Sequence, residues 1–287
     1  MKTIYLLDSH ALIYRSFFAL PKLATKDGFP TSALFGFLKT TFKIFKDKPR
    51  FAGAIFDHPS PTHRDLIYSA YKATRPSMPD ELKLQLPVIK KACELIGISL
   101  LEIEGYEADD IIYTITKIAQ ESGFEVLIIS PDKDLLQLVD ERVKVFNPLK
   151  EELFDRQKVF EKFGVYPEQI RDFLALVGDK VDNVPGVKGI GPKTAPEVLK
   201  RYKSVEAILN SWEDFSKEFP KANKEELKLS YELIGLKLIE KPIASIEELS
   251  IKPMKMAELK DFLEKYEIKS LLKELSSRPT PTQQSLF

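Results

Sequence analysis

Short apolar runs alternate with amphipathic stretches in the first half of the chain. Each run has the length of a buried strand, and the runs lie at residues 4–7, 51–56, 99–103, 126–129 and 143–146. Residues 81–95 and 110–121, which fall between these runs, carry apolar residues at helical spacing. Strands that alternate with helices in this way are typical of βαβ units and of a parallel sheet. The pattern therefore predicts an α/β fold over residues 1–155, with a central, mainly parallel twisted sheet flanked by helices.

Helical periodicity replaces the strand pattern from about residue 155 onward. The predicted helices are residues 155–163, 167–177, 192–202, 204–209, 224–233 and 257–266. No clear linker separates the two halves, so we expect this helical region, residues 156–275, to pack against the sheet. Residues 276–287 are rich in Ser, Thr, Pro and Gln without periodicity, and we expect them to form a disordered tail.

Carboxylates follow the predicted strands at the end where the chain leaves the sheet. They are Asp8, Asp57, Glu107, Asp109, Asp110, Asp132 and Asp134. The carboxyl ends of parallel strands share one edge of a sheet, so these side chains are expected to converge. Like charges that close raise one another's pKa unless cations neutralise them. Oxygen ligands suit Mg²⁺ or Mn²⁺, and the sequence therefore predicts bound divalent metal at this edge.

Several of these acids also have an ordinary structural explanation. Asp8 or Asp57 alone could be a turn or helix-capping residue. Acids in the first turn of the 110–121 helix are favoured by the helix dipole, so capping is an alternative there as well. Three carboxylates within four residues, however, exceed what capping can use, and we favour a metal site for the set as a whole.

Composition limits the other kinds of site. The chain has one cysteine, Cys93, and three histidines, so an intrachain disulfide is impossible and a thiolate–imidazole zinc site can hardly be assembled. The 43 basic and 43 acidic residues give a net charge of zero, which neither requires nor excludes a polyanionic partner. No apolar run approaches a membrane span and no signal peptide is recognisable, so we expect a cytoplasmic protein without membrane contact.

A glycine-rich stretch follows a further acidic pair, Asp179 and Asp182. Its candidate phosphate-binding residues are Gly186, Lys188, Gly189, Gly191, Lys193 and Thr194. Glycines let backbone amides approach a phosphate, and the N-terminus of the following helix adds donors, so we predict a sequence-independent grip on a duplex. A plain packing corner is the alternative. Pro196 lies inside the predicted second helix, which must therefore begin about a turn late or be kinked.

Basic and aromatic residues interleave within residues 61–79. Arg64, Tyr68, Tyr71, Lys72 and Arg75 fall at helical spacing and would form one stripe. Bases stack on aromatic rings while cations follow the backbone, so such a stripe could hold a single strand. A solvated amphipathic helix is the alternative.

Together these motifs resemble a known nuclease family. The matching segments are residues 8–15, 56–57, 71–75, 105–110, 132–135 and 178–191. They resemble the 5′-nuclease domain at the N-terminus of bacterial DNA polymerase I, which is similar to phage 5′-exonucleases and eukaryotic flap endonucleases. The resemblance spans about residues 3–275 and implies a PIN-like fold with a helical arch at about 60–90 and a helix–hairpin–helix at about 170–202. No polymerase part follows, so we expect a free-standing version.

The resemblance also implies a function and roles for individual residues. It implies a monomeric, structure-specific 5′-3′ exonuclease or flap endonuclease that cleaves DNA at 5′ flaps and nicks during primer removal and repair. Nine carboxylates match the family's set for two Mg²⁺ ions, with Mn²⁺ as a substitute: Asp8, Asp57, Glu107, Asp109, Asp110, Asp132, Asp134, Asp179 and Asp182. Lys72 and Arg75 match catalytic residues of the arch, and the hairpin matches one that a K⁺ ion assists.

Other functions compete with this interpretation. A non-catalytic DNA-binding relative is one alternative, against which the complete carboxylate set argues. A phosphatase with Asp8 as nucleophile is another, but the second Asp that its commonest class carries two residues later is missing.

The C-terminus carries one more candidate motif. Gln283, Leu286 and Phe287 resemble the short peptides by which bacterial replication proteins bind the sliding clamp. A terminus that ends by chance in two apolar residues is the alternative.

Overall fold

A six-stranded sheet forms the centre of the molecule, for which a computed structural model describes residues 2–276. The strands are β1 (Thr3–Asp8), β2 (Phe51–Ile55), β3 (Ser99–Leu101), β4 (Glu125–Ile129), β5 (Val143–Asn147) and β6 (Glu152–Phe154). Their order is β3-β2-β1-β4-β5-β6, and every neighbouring pair is parallel except β5 with β6. The predicted strands are confirmed, and β6, too short to show a pattern, is an addition.

Helices cover both faces of the sheet. They are α1 (Ser9–Ala19), α2 (Ser32–Phe45), α3 (His63–Ile67), α4 (Asp80–Lys83), α5 (Gln85–Ile96), α6 (Ala108–Glu121), α7 (Arg156–Phe163), α8 (Ile170–Val177), α9 (Ala195–Tyr202), α10 (Val205–Asn210), α11 (Trp212–Glu218), α12 (Lys224–Ile234), α13 (Met256–Lys265) and α14 (Lys269–Ser276). Short 3₁₀ turns occupy Asp134–Leu138, Pro167–Gln169 and Ile246–Leu249. Within the described part of the chain, no helix is both long and apolar enough to cross a membrane.

Successive side chains of β1 enter two different cores. Ile4 and Leu6 pack with α6 and with the helices from α7 to α12, whereas Leu7 packs with α1, α2, α5, α13 and α14. Successive residues of a strand face opposite sides of a sheet, so the side chains of the central strand contribute to both cores. The helical region therefore packs against the sheet, as expected, and the chain then returns to the opposite face.

Two predicted helices differ from the structure. Residues 61–79 do not form one helix, because α3 ends at Ile67 and the chain continues through turns in which Lys72 has a φ of 55°. The predicted basic and aromatic stripe is therefore not a helical face. The second hairpin helix, α9, begins at Ala195 and has Pro196 near its start, where the missing N–H costs no helical hydrogen bond. Of the two alternatives for this helix, the late start is the one observed.

Candidate metal and nucleic-acid site

Three carboxylates at the sheet edge, which we call the inner carboxylates, are Asp8, Asp109 and Asp134. Asp8 ends β1 and caps α1, accepting hydrogen bonds from the Ala11 N–H at 3.3 Å and the Ser130 hydroxyl at 2.5 Å. Burial, with the charges of neighbouring aspartates, raises the pKa of Asp8 to about 7. The same two causes raise the pKa values of Asp109 and Asp134 well above the usual range. The sheet edge thus concentrates acids that cannot all be ionised without added positive charge.

Asp57 continues this cluster from the end of β2. Its Oδ1 accepts the N–H of Ala108 at 2.7 Å, which links β2 to the first turn of α6. Its own N–H donates to Nδ1 of His10 at 2.9 Å, so that nitrogen carries no proton. Burial lowers the pKa of His10, which is consistent with a neutral ring. His10 therefore orients the Asp57 backbone and adds no charge.

Asp132 and Asp134 are arranged by a tight turn after β4. The N–H of Asp132 donates to the Ser130 hydroxyl at 2.9 Å, and the N–H of Asp134 donates to Oδ1 of Asp132 at 2.9 Å. Ser130 in turn donates to Asp8, so one hydroxyl connects the ends of β1 and β4. Asp134 is left with a buried Oδ1 that has no hydrogen-bond partner.

A lysine from residues 61–79, which we call the arch segment, neutralises Glu107. Glu107 lies before the first turn of α6, and its Oε1 lies 2.7 Å from the ammonium of Lys72. Burial disfavours the charged ammonium, but Glu107 outweighs this effect and the pKa of Lys72 is raised. The Tyr71 hydroxyl lies 3.4 Å from Oε2 of Glu107, and the Tyr71 ring is buried rather than available for stacking. The predicted catalytic lysine therefore reaches the carboxylate cluster.

The acidic pair before the hairpin is neutralised in the same manner. Asp182 accepts two hydrogen bonds from Arg75, one of them from Nε at 2.8 Å. Asp179 accepts from the Lys133 ammonium and from the N–H of Val181. Burial opposes ionisation of Asp179, but the Lys133 ammonium and the N–H groups of Val181 and Asp182 outweigh the effect of burial, so the pKa of Asp179 is lowered. We call Glu107, Asp179 and Asp182 the outer carboxylates, since each is held by a lysine or arginine.

Backbone contacts fix the arch segment beside these acids. The Lys72 N–H donates to the carbonyl of Asp182 at 3.0 Å, and the Asn183 amide donates to the carbonyl of Ala70 at 2.8 Å. Both Lys72 and Asn183 have φ values near that of a left-handed residue, 55° and 57°. Two unusual backbone positions thus face each other across the cleft and hold residues 70–75 against the loop at 179–184.

Asp110 and Arg64 depart from their expected roles. Asp110 is fully buried and forms a two-pronged ion pair with Arg64 at 2.8 and 2.9 Å. Arg64 is only 2% exposed, and although it forms part of the cleft wall, its guanidinium donates to Asp110 and to the carbonyls of Leu233 and Gly235 and is not free to contact a DNA strand. Asp110 also accepts the N–H of Glu107, as the third residue of a helix-capping box. Asp110 therefore has the contacts of a helix-capping residue, while Asp109 in the same turn lines the cleft.

The donor set fits a divalent metal, although no preformed cage is present. Within residues 2–276, no group of three or more His, Cys, Asp or Glu side chains converges closely enough to enclose an ion. The outer carboxylates instead turn toward their basic partners. Two features fit a cation nonetheless: the raised pKa values of the inner carboxylates and the unsatisfied buried Oδ1 of Asp134. Hard oxygen donors of this kind are those that Mg²⁺ prefers.

One cleft joins most of these groups. Its lining residues are Arg64, Tyr71, Lys72, Arg75, Glu107, Asp109, Asp132, Asp134, Asp182, Leu233, Ile234 and Leu236. Acids and bases from both halves of the chain therefore meet in one opening.

Two glycines close the loop that leads into the hairpin. Gly178 and Gly186 have φ values of 75° and 68°. A Cβ on either glycine would lie 2.6 to 2.9 Å from backbone atoms of the other glycine or of the residues just before it. The Gly186 N–H donates to the Ser230 hydroxyl, and the Val187 N–H donates to the carbonyl of Leu176. The hairpin is therefore fixed to α8 and α12 through main-chain contacts.

Most of the predicted phosphate-binding residues lie on the outside of this hairpin, but Gly186 is buried and its N–H is already donated to Ser230, so it offers no donor to a phosphate. Lys188, Lys193 and Thr194 are exposed, and Gly189 has a φ of 94° that a side chain would strain. Nothing lies within 4 Å of a Cβ built on Gly189 or Gly191, so the space before both is open. The backbone there is accessible to a ligand.

Comparison with known proteins identifies the family. Residues 3–164 match the family described as 5′-3′ exonuclease, N-terminal resolvase-like domain, and residues 165–257 match the 5′-3′ exonuclease, C-terminal SAM fold. A 5′-3′ exonuclease of Aquifex aeolicus is 52% identical over 289 residues, which cover 100% of this chain and 100% of that protein. The chain belongs to the 5′-3′ exonuclease family.

Other relatives place this 5′-3′ exonuclease chain beside larger proteins. DNA polymerase I of Thermus thermophilus is 41% identical over 292 residues, covering 98% of this chain and 34% of the polymerase. Among solved structures, a bacteriophage T5 flap endonuclease in a pseudo-enzyme–product complex with DNA and metal ions has a TM-score of 0.67. It shares 22% sequence identity and covers 93% of this chain and 100% of its own. This similarity confirms the predicted fold class.

Some residues of this exonuclease site were not recognised from sequence. Lys133, Ser130 and Asn183 each contact a candidate site segment. Lys133 lies between two acids in Asp132-Lys133-Asp134, and that alternation could have indicated an internal counter-ion. Asn183 lies within the matching segment 178–191, although its contact with Ala70 was not predicted, and Ser130 was not singled out. The candidate clamp-binding residues Gln283, Leu286 and Phe287 lie outside the described residues.

Proposed function

We propose that this protein hydrolyses DNA at 5′ flaps and nicks as a structure-specific, Mg²⁺-dependent 5′ nuclease. The observation that carries the proposal is the meeting, in one cleft, of buried acids with raised pKa values and of arch lysine and arginine side chains. Acids in need of positive charge bind metal, whereas the bases offer contacts to phosphate. The T5 flap endonuclease of similar fold, which holds DNA and metal ions, supports the same assignment.

The carboxylates that reach the cleft would hold two Mg²⁺ ions, for which Mn²⁺ could substitute. The inner carboxylates with Asp57 and Asp132 would serve one ion, and the outer carboxylates would serve the second. When bound, such ions neutralise phosphate charge and lower the pKa of a water ligand, which provides a nucleophile at neutral pH.

Lys72 and Arg75 would bind and orient the phosphate that reacts. Each is paired with an outer carboxylate, at 2.7 Å for Lys72 and by two hydrogen bonds for Arg75. A cation that replaced them there would release both side chains toward the phosphate oxygens. The anionic phosphate would then take the place of Glu107 beside the Lys72 ammonium, which would act as a fixed positive charge rather than as a base. Tyr68, which is half-buried, would lie beside the entering strand.

The hairpin would hold the duplex next to the cut. Lys188, Lys193 and the open backbone at Gly189 and Gly191 present donors and positive charge without any group that reads a base. A K⁺ ion at the hairpin carbonyls would strengthen this contact. Duplex recognition would therefore depend on DNA shape and ionic strength, not on sequence.

A cleavage assay with end-labelled DNA tests the proposal. We expect cleavage of a 5′-flap substrate in Mg²⁺ and none in EDTA, with single-stranded DNA of the same sequence cut far more slowly. Asp109→Asn should abolish cleavage, while Asn147→Ala, which removes only hydrogen bonds of the turn between β5 and β6, should not. Undiminished cleavage in EDTA, or by Asp109→Asn, would overturn the assignment.

A further inference from the structure

The ion pair between Arg64 and Asp110 lies directly behind the carboxylate cluster. Arg64 is 2% exposed and Asp110 is 0% exposed. Burying two charges is costly unless each is fully hydrogen-bonded, and a charge that lost its partner there would be strongly destabilising. The pair is therefore an obligatory unit of the structure.

Both oxygens of Asp110 are already fully engaged. Oδ1 accepts from Arg64 at 2.9 Å and from the Lys237 N–H at 2.9 Å. Oδ2 accepts from Arg64 at 2.8 Å and from the Glu107 N–H at 3.3 Å. Four donors occupy the favourable acceptor positions of one carboxylate, which leaves none directed at the cleft. Asp110 thus differs from the other acids of the set, of which Asp109 and Asp134 line the cleft.

The same pair contacts Glu107 from two directions. Asp110 accepts the Glu107 N–H, and Nη1 of Arg64 lies 3.4 Å from Oε2 of Glu107. The opposite oxygen of Glu107 holds Lys72 at 2.7 Å. Arg64 therefore fixes one side of the Glu107 carboxylate while Lys72 occupies the other.

Arg64 also connects this carboxylate to the end of α12. It donates to the carbonyls of Leu233 and Gly235, both at 2.8 Å. α12 carries Ser230, whose hydroxyl accepts the Gly186 N–H of the hairpin at 3.0 Å. One guanidinium thus connects the arch segment, the first turn of α6 and the helix that supports the hairpin.

We propose that Arg64 and Asp110 are positioning residues that hold Glu107, and with it Lys72, in place for the reaction, and that Asp110 binds no metal. The inference rests on the proposed function, since it assigns a role to residues behind the same site. Positioning groups of this kind contribute to rate because the reacting groups must be held within a fraction of an ångström.

Metal binding and rate separate the two possible roles of Asp110. Mn²⁺ bound to the free protein, counted by electron paramagnetic resonance titration, should keep its stoichiometry in Asp110→Asn and in Arg64→Lys. In a flap cleavage assay both variants should lower kcat by about 10- to 100-fold, as loss of supporting groups around metal ligands does, with little change in KM. Arg64→Lys keeps the charge and loses the two-pronged geometry, so it remains informative if Asp110→Asn folds poorly.

A paired substitution separates positioning from mere stability. Replacing both members of a buried ion pair avoids an unpaired buried charge, so Arg64→Met combined with Asp110→Leu should melt above either single variant. It should stay below wild type, because the carbonyls of Leu233 and Gly235 and the N–H groups of Glu107 and Lys237 lose their partners. We expect its kcat to stay as low as that of Arg64→Lys. Asn147→Ala, which removes hydrogen bonds only from the β5–β6 turn, is the control and should lower Tm without lowering kcat.

Two results would overturn the inference. Loss of one bound Mn²⁺ in Asp110→Asn but not in Arg64→Lys would make Asp110 a ligand. Recovery of kcat together with Tm in the paired variant would make the role structural only. Failure of the wild-type protein to cut flap DNA would instead refute the proposed function, and the Mn²⁺ stoichiometry would still decide whether Asp110 is a ligand.

Discussion

The inner and outer carboxylates differ in how their negative charge is neutralised. The inner carboxylates lie at the end of β1, in the first turn of α6 and at the start of the 3₁₀ turn after β4, and within the described chain no lysine or arginine forms an ion pair with them. Their pKa values are raised by burial and by one another. Each outer carboxylate has a basic partner, and the pKa of Asp179 is lowered.

The difference indicates where positive charge must come from. The end of β1, the first turn of α6 and the 3₁₀ turn after β4 meet at one edge of the sheet, which among the described residues supplies no basic partner for the inner carboxylates. The outer carboxylates lie beside long, adaptable Lys and Arg side chains, which neutralise them until a cation or a phosphate competes. A metal should therefore bind first at the inner carboxylates, while binding at the outer ones requires that basic partners move.

Removing an inner carboxylate gives the largest expected effect. Asp109→Asn should lower kcat by at least about 10³-fold, because under the proposed function it removes a negative charge and a metal ligand from the reacting centre. It should also raise the Tm of the metal-free protein, since it relieves repulsion within the cluster. Flap cleavage and thermal melting in EDTA measure the two effects. A lower Tm in EDTA would show that the inner carboxylates are not electrostatically strained.

Removing a basic partner should slow the reaction with less effect on binding. Lys72→Ala should lower kcat by about 10²-fold, because the ammonium acts on charge that develops in the transition state.

Lys188→Ala on the hairpin should instead weaken duplex binding. It should also reduce the slope of log affinity against log salt concentration by about 0.9 per lost phosphate contact. Single-turnover rates and flap affinities at several salt concentrations distinguish them. The same kinetic signature in both variants would contradict the division of labour between arch and hairpin.

Releasing an outer carboxylate from its internal counter-ion should strengthen metal binding. The variant Lys133→Gln removes the ammonium group that pairs with Asp179. An added cation then binds Asp179 without having to displace this ammonium. We expect the weaker of two Mn²⁺ affinities to rise several-fold, as measured by titration of the free protein. Lys133→Arg, which keeps the charge, is the matched control and should resemble wild type. Weaker binding in Lys133→Gln would show that Lys133 supports the metal site instead of competing with it.

The smallest expected effect is a pH dependence of stability. The pKa of Asp8 rises from 3.8 to about 7 on folding, so the folded state binds its proton more tightly than the unfolded state. The stabilisation that this proton provides is complete below about pH 4 and is lost as the pH rises through 7. The Tm of the metal-free protein should therefore fall between pH 5 and pH 8, and less so in Asp8→Asn. Melting curves in EDTA over this range test it, and an equal fall in both proteins would exclude Asp8 as the cause.

Sequence patterns could predict where acids lie but not what they contact. Asp8 and Asp57 follow apolar runs long enough to be strands, so their place at the sheet edge follows from parallel pairing. Arg64 and Asp110 are 46 residues apart in sequence, and helical spacing alone cannot tell whether a basic residue faces solvent or a buried partner. The left-handed backbone at Lys72, which breaks the expected arch helix, is likewise set by tertiary contact with Asp182.

The contact between Gly178 and Gly186 makes the loop between them a spacer of fixed length. Both ends of the loop meet where neither residue has a side chain, and the loop carries Asp179 and Asp182 while the hairpin begins at its far end. Under the proposed function, a duplex held by the hairpin would therefore lie at a set distance from Asp179 and Asp182. The length of this loop would then set the position of the cut relative to the end of the duplex. A larger residue at either glycine would move that position and would not only weaken duplex binding.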